Sequence, residues 1–380
     1  MHLKYRIAAT AAFGLESVVK KECEELGFSS IHVDEGRIFF DGEAADVAKA
    51  NLCLRSADRV LLEVGRFSAE SFEELFDRTA ALPWPSLLPE DAAFPVRGKS
   101  YRSTLASVPD VQRIVKKAIA AALQRKWDVD WLPETGAAYP VEVALRRNEC
   151  VIFLDTTGEG LFKRGYRQKK GGAPLKETLA SGLISLSVWH PSRPLVDPFC
   201  GSGTLLIEAA LQARGMAPGL ERSFLSMDWP IVGEEVYRQA RRACLRGIRL
   251  EEKLLLTGFD KDPRMIEIAR KNAEAAGVGE DIRFICKDMR AVDLQENFGV
   301  IITNPPYGKR LGEEEETRAL MRAFGERFGR LRTWSFYVLT GLADFEDAFG
   351  RAADRRRKLF NGGIETTYYQ YLGPNPQRFQ

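Results

Sequence analysis

Histidine and paired cysteine are scarce in this sequence of 380 residues. It has three histidines, His2, His32 and His190, and its six cysteines are scattered without a C-x-x-C pair. Catalytic triads and metal sites that depend on histidine therefore have almost no residues to draw on, and zinc, iron–sulfur and disulfide frameworks are disfavoured. We expect a protein that binds no metal.

Long apolar runs are also absent. No segment approaches the roughly 18 consecutive apolar residues of a membrane helix. The first residues, MHLKYRIAATAAFGLES, lack the pattern of a signal peptide. These absences predict a cytoplasmic protein with no membrane partner. The sequence contains no pattern from which the oligomeric state can be predicted.

The charges are nearly balanced overall but unevenly distributed. Residues 1–96 carry 10 basic and 17 acidic side chains, whereas residues 97–175 carry 15 basic and 8 acidic ones. A basic block of this kind favours a polyanionic partner, because phosphate contacts supply most of the non-specific affinity for nucleic acid. The alternative is a solvated basic surface with no partner, and the charge count alone does not decide between them.

The basic residues of this block are concentrated in three places. One group adjoins a predicted strand at Ala93 to Val96. A second lies on the polar side of a helix predicted from its N-cap Asp110 to Lys126. The third is the segment 161–173, LFKRGYRQKKGGA, whose basic and aromatic residues suit phosphates and unstacked bases but also suit a soluble hinge. The candidate RNA contacts are Arg97, Lys99, Arg113, Lys116, Lys117, Arg164, Arg167, Lys169 and Lys170.

The hydrophobic pattern divides the chain into two parts. The first 160 residues mix short strands with amphipathic helices, as in α+β proteins. From Ala173 onward, helices alternate with fully apolar strands, a pattern typical of a parallel sheet covered on both faces. The strands predicted in this second part are Pro194 to Asp197, Leu254 to Asp260, Ile282 to Cys286, Val300 to Thr303, Ser335 to Thr340, and a final pair at Lys358 to Phe360 and Glu365 to Leu372.

Acid or amide side chains end four successive strands of the second part, namely Asp197, Asp260, Asp288 and Asn304. The first is followed by a Gly-x-Gly turn into a helix, which lets a ligand approach the backbone closely at the carboxyl edge of the sheet. The turn is not a P-loop, because no G-K-[ST] follows. In a compact dinucleotide fold the second acid lies about 20 residues past the glycines. Here it lies 57 residues past Gly203, which predicts an insertion at residues 215–253.

The fourth strand end reads Asn304-Pro305-Pro306-Tyr307 and resembles the [DN]-P-P-[YFW] motif of S-adenosylmethionine-dependent methyltransferases that act on amino groups. The resemblance implies that the carboxylates and glycines before it hold the cofactor. It also implies that the Asn304 side chain and the Pro305 carbonyl accept the hydrogens of a planar amine while Tyr307 stacks on its base. The implied catalytic residues are Asn304, Pro305, Pro306 and Tyr307. The implied cofactor-binding residues are Asp197, Phe199, Gly201, Gly203, Thr204, Asp260, Lys261, Asp288, Met289 and Asn304.

Two further stretches extend the resemblance over essentially the whole chain. GYR at 165–167 with APLKETLA at 173–180, and KLFNGGIE at 358–365, are similar to the THUMP-domain guanine-N2 RNA methyltransferases. The similarity implies transfer of a methyl group from S-adenosyl-L-methionine to the N2 amine of a guanosine, with 23S rRNA favoured. The implied organisation is an α+β ferredoxin-like domain (1–55), an α+β THUMP RNA-binding domain (56–160), a basic linker (161–174) and an α/β Rossmann-like class I methyltransferase domain (175–380) with a mostly parallel seven-stranded sheet.

Several alternatives stay open, because N-P-P-Y specifies a planar amine and not the molecule that carries it. A tRNA guanosine is as compatible with the sequence as an rRNA guanosine. DNA adenine-N6 and protein glutamine-N5 methylation use the same motif, although a protein-amide enzyme would gain little from a basic front half. A non-catalytic RNA-binding assembly factor is disfavoured by the intact glycine turn and the intact Asn304 motif.

Overall fold

The computed structural model of the chain describes residues 4–167, 175–251, 253–307 and 313–374. These residues form two compact units, each built on one seven-stranded sheet. The N-terminal unit comprises the described residues up to Thr10, Lys20–Leu161 and Arg222–Ala243, and the C-terminal unit comprises the other described segments. None of the described helices combines the length and apolar character needed to cross a membrane.

The N-terminal unit contains the first seven strands and most of a later helix. Up to residue 161 the elements are β1 (Tyr5–Ala11), α1 (Glu16–Glu25), β2 (Ser29–Asp34), β3 (Arg37–Gly42), α2 (Ala44–Cys53), β4 (Ala57–Ser68), α3 (Phe72–Ala80), α4 (Trp84–Leu87), β5 (Val96–Tyr101), α5 (Val108–Trp127), β6 (Val141–Arg146) and β7 (Glu149–Asp155). The strand order is β2-β3-β1-β4-β7-β6-β5, so one sheet continues through the segments expected to be separate ferredoxin-like and THUMP domains.

Strand β5 and helix α5 differ from their predicted bounds. β5 begins at Val96, where the predicted strand ends, because Pro95 has no N–H to donate and Ala93 makes only an isolated bridge. The helix begins after Ser107 rather than at Asp110, and Asp110 lies in its first turn. Its apolar residues recur every three or four positions and are buried, so α5 packs one face on the unit's core.

The C-terminal unit contains the second sheet. From residue 162 on, the elements are α6 (Glu177–Ser185), β8 (Leu195–Asp197), α7 (Thr204–Ala213), α8 (Glu234–Arg246), β9 (Leu256–Asp260), α9 (Pro263–Ala275), β10 (Ile282–Cys286), β11 (Val300–Thr303), α10 (Glu313–Phe328), β12 (Ser335–Thr340), α11 (Phe345–Phe349), β13 (Arg355–Asn361) and β14 (Ile364–Tyr371). Short 3₁₀ turns lie at Leu225–Met227, Gly279–Asp281 and Met289–Ala291.

The second sheet is parallel except at one end. Its order is β10-β9-β8-β11-β12-β14-β13, and β14 runs antiparallel to both of its neighbours. Both faces are buried, since Val300 and Ile302 of β11 belong to one apolar cluster and Ile301 to another. Strand β8 pairs with β9 on one side and with β11 on the other. The strand order therefore reverses at β8: β9 and β10 are added on one side, and β11 and β12 on the other. In open α/β sheets such a reversal creates a ligand-binding crevice at the carboxyl ends of the strands.

The predicted insertion between α7 and β9 contributes to the N-terminal unit. Within that unit, the Trp229 ring stacks on Tyr139 with 4.6 Å between ring centroids, and its indole N–H donates to the Ala138 carbonyl at 2.9 Å. The buried hydroxyl of Tyr237, on α8, accepts a hydrogen bond from Asn51 at 3.0 Å. The insertion therefore supplies core residues to the first sheet's unit, although it follows β8 and α7 in the chain.

A buried carboxylate organises the segment before α6. Glu208 of α7 is fully buried and accepts hydrogen bonds from the hydroxyls of Ser181 (2.6 Å) and Tyr166 (3.1 Å). The Arg164 guanidinium lies 3.5 Å from the same carboxylate, and its side chain is 2% exposed. The prediction that Arg164 contacts RNA is therefore wrong, because this guanidinium is held inside the unit as the counter-charge of Glu208.

Arg167 is also used within the C-terminal unit. Its guanidinium donates to the Thr204 hydroxyl at 2.8 Å and to the Leu175 carbonyl at 3.0 Å, and it pairs with Glu177 at 3.4 Å. These bonds tie the segment before α6 to the first residue of α7, which corrects the expectation that Arg167 faces RNA. The candidate contacts Lys169 and Lys170 lie outside the described residues.

We predict that Glu208→Ala destabilises the protein by about 3–5 kcal/mol, because it leaves the Arg164 charge buried without its carboxylate. Urea unfolding measures this loss. Glu267→Ala is the control, since it removes a carboxylate of the same unit from an exposed pair with Lys271 and should leave stability unchanged. Equal stability of the two variants would contradict a structural role for the Glu208 network.

Candidate active site

The glycine turn after β8 has a backbone that other residues could not follow without strain. Gly201 and Gly203 have φ angles of +50° and +84°. A Cβ on Gly203 would also lie 2.9 Å from the Phe284 ring and 3.2 Å from the Ala269 side chain. The turn therefore packs closely on β10 and α9, and α7 begins immediately after it at Thr204.

Asp197 ends β8 and is almost completely buried, with 2% of its surface exposed. Its Oδ1 accepts two hydrogen bonds, one from the Thr303 hydroxyl at 2.6 Å and one from the Phe199 N–H at 3.1 Å. Burial raises the pKa of Asp197 to about 7; the two hydrogen bonds oppose this rise, and the neighbouring charge of Asp260 adds to it. The carboxyl joins the end of β8 to the end of β11, next to Asn304.

Asp260 ends β9 and holds the glycine turn from the other side. Its carboxylate accepts hydrogen bonds from the Gly201 N–H at 3.1 Å and from the Asp262 N–H at 2.9 Å. Asp262, and not Asp260, caps the next helix by accepting from the Arg264 N–H. Asp260 is therefore not required as a helix cap, and its remaining lone pairs are open to a ligand.

A cavity of about 730 Å³ lies at the carboxyl ends of these strands. It is lined by Pro198, Phe199, Asp260, Lys261, Asp288, Met289, Arg290, Pro306, Glu316, Thr317, Ala319 and Leu320. The structure thus brings five of the predicted cofactor residues and one predicted catalytic residue to one wall. The predicted residues that do not line it are Asp197, Gly201, Gly203, Thr204, Asn304, Pro305 and Tyr307. Sequence reasoning missed the contribution of α10, whose four lining residues form no motif.

Asp288 has a local role in addition to its place in the cavity wall. Its carboxylate caps the 3₁₀ turn Met289–Ala291 by accepting from the Arg290 N–H at 2.8 Å, and it pairs with the Arg290 guanidinium at 3.3 Å. The cap turns the Met289 side chain into the apolar core, where it is 3% exposed. Asp288 and Met289 therefore reach the cavity as one locally fixed unit.

The Asn304–Tyr307 turn is held by a chain of side-chain hydrogen bonds. The Tyr307 hydroxyl donates to the Asn304 side-chain oxygen and accepts from the Asn361 amide at 3.3 Å. Burial raises the pKa of Tyr307 to about 12, so its hydroxyl keeps its proton at neutral pH. Asn361 is the last residue of β13 and is 8% exposed. This contact could not be predicted from the sequence, because no local pattern links the KLFNGGIE stretch to Asn304.

Among the described residues, no group of three or more histidine, cysteine or acidic side chains is arranged to hold a metal ion. The hydrogen-bonding groups that face the cavity are carboxylates, a lysine, an arginine and a threonine hydroxyl, with apolar surface from Phe199, Met289 and Leu320. Such a mixture suits an organic ligand that carries both hydroxyl groups and a flat apolar part.

Comparison with known protein families finds matches along the whole chain. Residues 164–370 match the RMKL-like methyltransferase domain, residues 6–61 the RlmL ferredoxin-like domain and residues 69–155 the THUMP domain. A Bacillus subtilis (strain 168) protein named "Putative RNA methyltransferase YpsC" is 49% identical over 380 residues, which is 99% of this chain and 98% of the relative.

Two solved structures are similar over their full length. One, from Listeria monocytogenes str. 4b F2365, is described as "a predicted N6-adenine-specific DNA methylase"; it is 46% identical, with a TM-score of 0.94, and 98% of this chain and 97% of that chain are covered. The other is SMU.472, a "putative methyltransferase complexed with SAH"; it is 42% identical, with a TM-score of 0.93, covering 99% and 100%.

We predict that Asp197→Asn removes a pH dependence of stability. Because the fold raises the pKa of this carboxyl from 3.8 to about 7, its protonated form stabilises the fold fully below pH 3.8, and this stabilisation is lost as pH rises to about 7. Between about pH 5 and pH 8, the free energy of unfolding should fall by roughly 2–3 kcal/mol more in wild type than in Asp197→Asn. Urea unfolding of both proteins at the two pH values, without ligand, measures the difference. Parallel pH profiles would contradict the prediction.

Proposed function

Because the chain belongs to the RMKL-like methyltransferase family, we propose that it transfers a methyl group from S-adenosyl-L-methionine to the N2 amine of a guanosine in RNA, with 23S rRNA favoured. The observation that carries this proposal is the Asn304–Tyr307 turn, which follows β11 directly beside the strand-end carboxylates and the cavity. The THUMP match at residues 69–155 supports RNA as the partner.

S-adenosylmethionine is the cofactor, and the cavity has the groups to hold it. Its volume of about 730 Å³ lies within the range of small-molecule sites. We assign Asp260 to the ribose hydroxyls and Asp288 to the adenine amine, with Phe199 and Met289 as apolar contacts of the adenine ring. The glycine turn and Asp197 form the part nearest the methionine end. When bound, the cofactor supplies a methyl group that is already activated by a sulfonium.

The residues of the Asn304 turn orient the target amine. The Asn304 side-chain oxygen and the Pro305 carbonyl accept its two hydrogens, which directs the nitrogen lone pair toward the methyl group. Two consecutive prolines have no N–H groups and restricted φ angles, so the turn presents acceptors in a fixed position. The Tyr307 hydroxyl now bonded to Asn304 has to give way to the amine, after which the Tyr307 ring is free to stack on the base. Alignment, rather than a strong base, supplies the rate.

We retain the basic residues of β5 and α5 as proposed RNA contacts, but the two groups differ in availability. On α5, Arg113 pairs with Asp110 at 2.6 Å and Lys116 pairs with Glu134 at 2.9 Å, while Lys117 is exposed. On β5, Arg97 and Lys99 are exposed. Within the described ranges no carboxylate pairs with Arg97 or Lys99, so the β5 group would bind phosphate without first breaking an ion pair.

Two methyl acceptors other than 23S rRNA should also be tested, each for a specific reason. Guanosine in tRNA fits the same chemistry and the same basic residues. Adenine-N6 in DNA is the activity in the description of the Listeria monocytogenes relative, and N-P-P-Y suits that amine equally well. A protein amide is disfavoured, because an enzyme that methylates proteins would not need a THUMP domain, which we take to bind RNA, at residues 69–155.

We predict that Asn304→Ala and Asp260→Ala fail in different ways. Asn304→Ala should bind S-adenosylmethionine nearly as wild type does but lose methyl transfer by at least about a hundredfold, because the amine is no longer aligned. Asp260→Ala should weaken cofactor binding roughly 10- to 100-fold, the cost of losing hydrogen bonds to a charged group. Calorimetric titration and a radiolabelled transfer assay measure the two effects, with Glu267→Gln as the exposed control. Full activity of Asn304→Ala would overturn the assignment.

We predict that rRNA from a strain lacking the gene is the preferred substrate. The experiment incubates the protein with labelled S-adenosylmethionine and separated rRNA, tRNA and DNA from that strain, then identifies the labelled nucleoside. N2-methylguanosine in 23S rRNA is the expected product. The same nucleoside in tRNA would move the substrate, and N6-methyladenine in DNA would replace the proposed reaction.

A further inference from the structure

One face of the N-terminal sheet carries basic side chains at the edge strand β5. Gly98 of this strand faces α5, because a Cβ there would lie 3.2 Å from Gln112 of that helix. Successive residues of a strand point to opposite faces, so Arg97, Lys99 and Tyr101 project from the face away from α5. All three are exposed. This face is therefore distinct from the α5 surface that carries Arg113 and its neighbours.

Tyr101 stands out on this face because a large aromatic ring is 52% exposed. The Arg102 guanidinium lies 5.2 Å from the ring centroid and the Arg146 guanidinium 5.9 Å from it. The backbone around the ring is fixed, since the Arg147 N–H donates to the Tyr101 carbonyl at 3.2 Å and the Asn148 side chain accepts from the Thr104 N–H at 2.8 Å. A rigid, exposed ring bordered by guanidinium groups is a surface on which an unpaired base can stack.

The charges around this ring are mostly uncompensated. Within the described part of the chain, no carboxylate pairs with the side chains of Arg97, Lys99, Arg102 or Arg147. Arg146 is the exception, because it pairs with Glu35. Of these four cations, Arg102 lies beside the Tyr101 ring, and Arg97 and Lys99 project from the same face of β5 as the ring does. This combination favours a ligand that is both anionic and aromatic.

A cavity of about 320 Å³ adjoins the ring on the same face of the sheet. Its apolar lining includes Ala144, Val151 and Phe153, and its basic lining includes Arg146 and Arg147, which also contact the Tyr101 side chain or backbone. The remaining lining residues are Asp34, Glu35, Arg37, Phe39, Arg66 and Glu149. Two of the three acids among them are partners of arginines, since Glu35 pairs with Arg146 and Glu149 with Arg66. The cavity gives room next to the ring for a second base or a sugar.

We propose that Tyr101, Arg102 and Arg147, with the adjoining cavity, form a binding site for an unpaired segment of RNA. Tyr101 stacks on a base, and Arg97, Lys99, Arg102 and Arg147 contact the phosphates on either side. The inference rests on the proposed function, because it takes RNA as the partner. It adds a second site at which the chain binds RNA, in the N-terminal unit rather than at the Asn304 turn. Single strands are specified because a base inside a duplex cannot offer its flat face to a side chain.

The test measures binding of the full chain to a fluorescein-labelled single-stranded RNA of about 12 nucleotides and mixed sequence. Tyr101→Ala should weaken binding about tenfold with the salt slope unchanged, because stacking releases no counterions. Tyr101→Phe should bind as wild type, since it keeps the ring. Arg102→Gln and Arg147→Gln should each lower the salt slope by about 0.7, the value for one phosphate contact on a single strand.

The matched control is Trp131→Ala. Trp131 is 81% exposed in the same unit, so removing it tests whether any exposed aromatic ring would serve. Equal binding by Tyr101→Ala and wild type, an equal loss in Trp131→Ala, or equal binding of duplex RNA by wild type would each overturn the proposal. Asn304→Ala should keep RNA binding while losing transfer. Failure at Tyr101 and failure of the methylation assay are therefore separate results.

Discussion

One buried hydrogen bond joins the two strands between which the C-terminal sheet reverses its order. The Thr303 hydroxyl at the end of β11 donates to Asp197 at the end of β8, and neither side chain reaches solvent beyond a few per cent. Asp197 begins the glycine turn, and Thr303 immediately precedes Asn304. The bond therefore sets the spacing between the residues proposed to hold the cofactor and the residues proposed to orient the target amine.

The same region is fixed from a second side by Asp260, whose carboxylate accepts the Gly201 N–H. Gly203 packs against the Phe284 ring so closely that no side chain fits. Three neighbouring strands thus hold one short turn through two carboxyl groups and one contact that excludes a Cβ. Because these partners belong to the sheet itself, the contacts that shape the turn come from the protein, which lowers the cost of ordering it on binding.

The sequence predicts the fold classes, which the family matches confirm, and the residues at which β8, β9 and β11 end. The predicted bounds of β10, β11 and β12 are confirmed. For β11 and β12 the reason is that strands buried on both faces read as largely apolar runs. Contacts between distant segments could not be predicted. Asn361 meets Tyr307 through strand pairing far along the chain, and the insertion after α7 contributes its aromatic residues to the other unit's core.

The count of basic residues is also a poor guide to function, because it does not show which charges the fold buries. Arg164 and Arg102 are indistinguishable as letters in a basic block, yet burial gives them opposite roles. Arg164 compensates Glu208 inside the C-terminal unit, where leaving it unpaired would cost several kcal/mol. Arg102 is exposed directly after β5 and lies beside the Tyr101 ring, and no carboxylate in the described part of the chain pairs with it. Its charge is therefore available to an anion at little desolvation cost. A basic segment predicts an anionic partner only to the extent that its charges stay outside the core, and that depends on which carboxylates the fold buries.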